Sequence, residues 1–144
     1  MKKNIIVPVF LLIMTSSLTD LYACSSIFLQ RENQAVYGRN HDYYNPNSVI
    51  IYNPKNLLKI GTPFPGENLA GWESIYSTIT ISAIGVDFAN SGMNEKGLAI
   101  GHMALDETIY PEKDDRPTIL PQQWIQYMLD KCANTKEVIE EAKK

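Results

Sequence analysis

Cys24-Ser25-Ser26-Ile27-Phe28-Leu29-Gln30-Arg31-Glu32-Asn33-Gln34-Ala35-Val36-Tyr37-Gly38-Arg39-Asn40-His41-Asp42 reads as a β-hairpin that begins on a thiol and returns to it with a cluster of charge. Ser25 to Leu29 is β-prone, Arg31-Glu32-Asn33 is a polar turn, and Ala35-Val36-Tyr37 is a second run ending in Gly38. Antiparallel pairing across that turn brings Gly38-Arg39-Asn40-His41-Asp42 back beside residue 24. A strand end is a rigid mount for a reactive group. A guanidinium at Arg39 would favour thiolate over thiol, and the Asp42 carboxylate could hold an ammonium group in place. Spacing alone equally allows Arg39 and Asp42 to be an ordinary exposed ion pair, worth ~0–1 kcal/mol.

Upstream of the hairpin, residues 1–23 carry Lys2 and Lys3, the apolar run Ile5 to Met14, a polar stretch and then Leu21-Tyr22-Ala23. This is the pattern of a cleaved secretory leader. The apolar run falls short of the roughly 20 residues that cross a bilayer, and Pro8 interrupts it. Cleavage after Ala23 would free an α-amino group on a cysteine, which puts a nucleophile and a potential base on one residue. The expected product is an exported chain, periplasmic or extracellular. Loss of Lys2, Lys3 and Asp20 moves the formal charge from -3 one unit further negative. An acidic chain without a basic block argues against a nucleic-acid partner.

Downstream, Val49-Ile50-Ile51-Tyr52 predicts a third strand closed by Asn53-Pro54, and residues 61–72 read as loop. The β-branched stretch Ile75 to Ile84 predicts a long strand. Gly92-Met93-Asn94-Glu95-Lys96-Gly97 predicts a tight turn before a strand from Leu98 to Leu105. Helical spacing begins near Leu120, where Trp124, Ile125, Met128, Leu129 and Cys132 share a face. Asn134 with Glu137 predicts a second helix opened by a capping box. Strands followed by helices make an α+β fold, not an alternating one. The chain reaches Lys143-Lys144 within this helical pattern with no cap or proline signal, which suggests an incomplete domain.

His41 is the tempting base for the thiol, but alternation along a strand predicts that it does not share the direction of both Arg39 and Asp42. His102 is a lone histidine in a predicted strand. Two histidines and two distant cysteines show no metal-ligand spacing. Export permits a Cys24–Cys132 disulfide, the plainest structural use of both thiols.

Cys24-Ser25-Ser26 opening the mature chain, Gly38-Arg39-Asn40-His41-Asp42, and Gly92-Met93-Asn94-Glu95-Lys96-Gly97-Leu98 together resemble the choloylglycine hydrolase and penicillin V acylase family. These are linear-amide C–N hydrolases of the N-terminal nucleophile superfamily. The resemblance implies the N-terminal portion of an αββα sandwich, with antiparallel strands followed by helices. It implies amide hydrolysis through a thioester, no cofactor and a small acyl amide as substrate. By position, Cys24 is the nucleophile with its own α-amine as base, Arg39 sits beside the thiol, and Asp42 binds the amine. The Gly92–Gly97 motif reads as a structural turn. Ala104 stands where bile-salt hydrolases place an oxyanion-side asparagine, leaving only a backbone donor there; losing one side-chain donor can cost ~10²–10³ in rate. Penicillin V or another acyl amide therefore fits at least as well as a bile salt.

Family members are more than twice as long, so the resemblance makes residues 24–144 the N-terminal part of such a hydrolase domain. A homo-oligomer of the full-length form stays open. Two rival readings start from the same residue. Leu21-Tyr22-Ala23-Cys24 also resembles a bacterial lipoprotein signal, in which lipidation would block both thiol and amine and anchor the chain to a membrane. A small exported binding domain fastened by the Cys24–Cys132 bridge is the other.

Overall fold

The computed structural model describes residues 24–42, 47–62, 68–105, 107–110, 112 and 114–144. The predicted leader, residues 1–23, lies outside the described residues. Among the described residues eight strands precede two helices: β1 (Ser25–Arg31), β2 (Gln34–Asn40), β3 (Val49–Asn53), β4 (Leu58–Ile60), β5 (Gly71–Glu73), β6 (Thr78–Ser82), β7 (Ser91–Asn94) and β8 (Ala99–Gly101), then α1 (Pro121–Lys131) and α2 (Thr135–Glu141). β1 and β2 form the predicted hairpin, turning at Glu32 and Asn33 with Glu32 at φ 52°. A second, four-stranded sheet runs in the order β3-β6-β7-β8 with every pairing antiparallel. β4 and β5 form a short antiparallel pair.

Helix α1 crosses one face of the four-stranded sheet. Pro121 at its first position has a φ already suited to the helix and lacks only an N–H that would have no partner there. Ile125, Met128, Leu129 and Cys132 join Ala89 and Leu98 in the core, with Trp124, Tyr127 and Val138 partly buried against them. The predicted apolar face of this helix is therefore present. The same helix also buries Gln123, Gln126 and Asp130, which its periodicity did not foretell. Buried polar groups need partners. Gln126 Nε2 donates to Thr78 Oγ1 at 3.1 Å and to Asp130 Oδ1 at 2.8 Å, while Trp72 Nε1 donates to Asp130 Oδ2 at 2.8 Å.

The two long strands predicted at 75–84 and 98–105 are shorter in the structure. Ile75 and Tyr76 donate their N–H groups to the Asp130 carbonyl at the end of α1, so β6 starts only at Thr78. Beyond Ser82 the chain turns away, because Ser82 Oγ accepts from the Ile84 and Gly85 N–H groups and Asn90 Oδ1 from Ala83 N–H. β8 stops at Gly101, and His102 N–H goes instead to the Asn90 carbonyl at 2.8 Å. The stretch read as loop over 61–72 holds the first residues of β5 at Gly71 and Trp72. Its partner β4 carries no period-2 signal, being three residues long.

Of the motif read as a tight turn over 92–97, Gly92, Met93 and Asn94 belong to β7, and only residues 95–97 turn the chain toward β8. Asn94 is buried; its Nδ2 donates to the carbonyls of Leu129 and Cys132 at 2.9 and 2.7 Å, and its Oδ1 accepts from Lys96 and Leu98 N–H. Gly97 takes φ 83°, the left-handed region that favours glycine. A Cβ at Gly92 would lie 2.7 Å from the Ile79 carbonyl oxygen and 2.9 Å from Leu129 Cδ1, so glycine is what lets α1 close on the sheet. The capping box is also present: Asn134 Oδ1 accepts from Lys136 and Glu137 N–H, and Glu137 Oε1 accepts from Asn134 Nδ2.

Candidate active site

The hairpin register sets the site. Ser25 pairs with Asn40 and Ser26 with Arg39, and one further step of the same register puts His41 across from Cys24. Cys24 is half-buried at the mouth of a cavity of about 520 Å³ that it lines with His41, Asp42 and His102. Cys24 Sγ lies 3.9 Å from the Asp42 backbone carbonyl. The Asp42 carboxylate is held by Asn40, whose Nδ2 donates to Oδ1 at 2.9 Å. Ala83, Ile84, Met103 and Ala104 add apolar lining, and Asn90 and Gln122 complete it. Cys24, Asp42 and Ala104 are therefore gathered at one cavity.

Arg39, which pairs with Ser26 next to Cys24, places its guanidinium on two backbone carbonyls. Its Nη1 donates to the Asn90 carbonyl and its Nη2 to the His102 carbonyl, so the guanidinium clamps the loop before β7 to the end of β8. Gly101 makes room for this crossing, since a Cβ there would lie 3.0 Å from Arg39 Cδ. The Arg39 side chain faces a second hollow of about 470 Å³, which shares His41 and Asn90 with the first. A planar fork across two carbonyls suits arginine rather than lysine.

His41 does reach the Cys24 cavity together with Asp42, against the alternation argument, because β2 ends at Asn40 and the period-2 rule lapses with it. Burial lowers the His41 pKa below 6.5, and the charges of Arg39 and His102 push it the same way against the opposing pull of Asp42. The imidazole is accordingly neutral at pH 7, able to accept a proton. Asn90 and the carbonyl of His102 are parts of the site that spacing did not single out; the only sequence signal was the small Gly101 before His102.

The proposed Cys24–Cys132 bridge is not formed. Both thiols are free: Cys132 is buried in the core beside Met128, with its Sγ 4.0 Å from the Met128 sulfur, while Cys24 opens on the cavity. The first strand is not fastened to the helix in this way. Burial, followed by Glu141 and Glu137, raises the Cys132 thiol pKa, which suits an inert core residue.

The sequence profile of the linear amide C–N hydrolases, choloylglycine hydrolase family, matches residues 24–144. A penicillin V acylase of Pectobacterium atrosepticum is 31% identical over 93 residues, covering 60% of this chain and 24% of that protein. The solved structure of penicillin V acylase from Agrobacterium tumefaciens superposes with a TM-score of 0.71 at 27% identity, over 84% of this chain and 38% of that one. The chain thus spans well under half the length of either relative. The superposition carries the N-terminal-nucleophile hydrolase fold, with antiparallel strands followed by helices as its α+β order. The chain belongs to the choloylglycine hydrolase family of linear amide C–N hydrolases.

Proposed function

We propose that the full-length protein is an exported amidase that hydrolyses the C–N bond of a small acyl amide through Cys24. The observation that carries this reading is the placement of Cys24 directly before β1, lining a cavity of about 520 Å³ with the Asp42 carbonyl 3.9 Å from its sulfur. Removal of residues 1–23 frees the α-amine of Cys24, whose ordinary pKa of about 7.7–8.0 suits a base near neutral pH. The amine takes the thiol proton and the sulfur attacks the amide carbonyl, forming a C–S bond. The C–N bond then breaks as the α-ammonium protonates the leaving amine, giving a thioester and a free amine. Water attacks the thioester, the C–S bond breaks, and the carboxylic acid leaves with Cys24 restored.

The Asp42 carboxylate, braced by Asn40, holds the ammonium form of the amine. Ala104 lines the same cavity, and its backbone is the group assigned to the oxyanion side in this reading. The apolar lining of Ala83, Ile84, Met103 and Ala104 accepts an apolar acyl group, and the two relatives named above are penicillin V acylases. We therefore place penicillin V ahead of conjugated bile salts as substrate. The neutral imidazole of His41 favours a second assignment of the base, which a His41→Gln variant separates: an amine base leaves most of the rate in place.

The test is the mature N-terminal mass together with a Cys24→Ser variant of the full-length protein. A free Cys24 amine in the wild type and loss of penicillin V hydrolysis by the folded serine variant are the expected results. A lipid-sized mass on Cys24, or full activity after Cys24→Ala, would overturn the proposal.

A further inference from the structure

Lys59 lies outside the Cys24 cavity, and its side chain is only 5% exposed. It sits on β4 opposite Trp72 of β5, and both side chains reach the same carboxylate. The Lys59 Nζ is 3.2 Å from Asp130 Oδ2 on α1, 2.9 Å from Asp87 Oδ1 on the 83–90 loop, and 3.5 Å from Asn53 Oδ1 on β3. The ammonium thus makes ion pairs with Asp130 and Asp87 and a hydrogen bond to Asn53, three groups from three different elements, although the contact with Asp87 Oδ1 lacks hydrogen-bond geometry. Asp130 is held independently by Trp72 and Gln126. Among the described residues Asp87 shows no second side-chain partner of this kind; it takes φ 65°, and its side chain is 27% exposed. A non-glycine residue in that region persists only where its surroundings hold it.

The loop that Asp87 anchors reaches directly into the site. Ala83 and Ile84 wall the Cys24 cavity, and Asn90 closes the loop with Oδ1 on Ala83 N–H. The Asn90 carbonyl accepts from both His102 N–H and Arg39 Nη1. We propose that Lys59 is a positioning residue for the Cys24 site: by pinning Asp87 to Asp130 and Asn53, it fixes the loop whose Asn90 carbonyl seats Arg39 and whose Ala83 and Ile84 shape the acyl wall. This rests on the reading of Cys24 as the nucleophile. Without Lys59 the two carboxylates face each other unneutralised. Asp130 keeps Trp72 and Gln126, so the partly exposed Asp87 is the one that swings to water and takes the loop with it.

The experiment uses the full-length protein with Lys59→Met and Asp87→Asn. Two readouts are taken on folded protein: kcat and KM for penicillin V, and the rate of Cys24 alkylation by iodoacetamide against pH. The expected result is a kcat lower by on the order of tenfold with KM little changed, since small displacements of positioned groups act on the reacting geometry. The alkylation profile is expected to move from that of the wild type. A folded variant that melts earlier but keeps wild-type kcat and alkylation shows a purely structural lysine and overturns the proposal. If Lys59→Met does not fold, Asp87→Asn on the partly exposed side of the pair decides. If the wild type hydrolyses no amide, the functional reading fails, while the alkylation profiles still decide whether Lys59 controls the site.

Discussion

Replacing Arg39 by lysine separates two ways in which this side chain can serve Cys24. A cation that merely favours thiolate works through its charge, and lysine keeps that charge. The structure instead shows a strut, with the two ends of the guanidinium fork on the carbonyls of Asn90 and His102, one before β7 and one after β8. Hydrogen bonds from charged groups contribute about 1.5–3 kcal/mol each. A lysine ammonium at this distance along the chain can keep one of the two at full strength, so the variant loses about 2 kcal/mol of constraint between the loop and β8. Expressed fully in the transition state, that is roughly a 30-fold fall in kcat/KM.

The assay is hydrolysis of penicillin V at neutral pH by full-length Arg39→Lys and Arg39→Met, each checked for folding by near-ultraviolet circular dichroism. The strut argument expects lysine to lose about 30-fold and methionine, which keeps neither bond, to lose more still. A lysine variant within about threefold of wild type, well under the 1.4 kcal/mol that a tenfold change represents, refutes it and returns Arg39 to a role of charge alone.

Asn94→Ala removes three buried hydrogen bonds and one partly buried bond at the β7–β8 turn, and is expected to cost about 3 kcal/mol in urea denaturation of the full-length protein; a cost under about 1 kcal/mol would show that water replaces the asparagine. The His41 pKa lies below 6.5 in the folded chain, so the unfolded state binds more protons as pH falls below 6.5. Stability is therefore expected to drop between neutral pH and the folded His41 pKa, and His41→Gln should flatten that slope; equal slopes in the two proteins count against the burial argument.

Much of the hairpin and its consequence were legible in the sequence. Ile27, Phe28 and Val36 announce strands, Glu32-Asn33 turns them, and antiparallel geometry alone returns Arg39 to Ser26. Asn134 and Glu137 named the start of α2 through a local hydrogen-bond pattern that tertiary packing did not alter. What failed was the extent of β6 and β8, because strand propensity says nothing about where backbone donors find other acceptors. Ile75 and Tyr76 spend theirs on the end of α1, and His102 on Asn90. His41 escaped for a related reason: a period of two holds only while the strand lasts. The clamp made by Arg39 and the tripod around Lys59 join residues 51 and 71 positions apart in the chain, respectively Asn90 with Arg39 and Asp130 with Lys59, and no periodicity reports such contacts.

The polarity of the four-stranded sheet explains why these directional contacts set the site. Its helix-facing side carries Asn53, Thr78, Thr80, Ser82 and Asn94, all buried, while Ile50, Tyr52, Ile79, Ile81 and Met93 lie exposed on the other. An aliphatic sheet face under α1 would have tolerated sliding, since dispersion has little directional preference. Here Asn53 reaches Thr80 at 3.2 Å, Gln126 reaches Thr78, and Asn94 caps the carbonyls at the end of α1, so the helix has one register on the sheet. That register fixes Leu129 against Gly92 and hence the height of β7 and β8. β8 in turn delivers the His102 carbonyl to Arg39, which pairs directly with Ser26 across the ladder. The aliphatic set is left for the opposite face, where the αββα arrangement of the family packs sheet on sheet at about 10 Å. Polar bonds thus place the surroundings of Cys24, and apolar area is kept for joining layers, the reverse of the division that hydrophobic periodicity assumes.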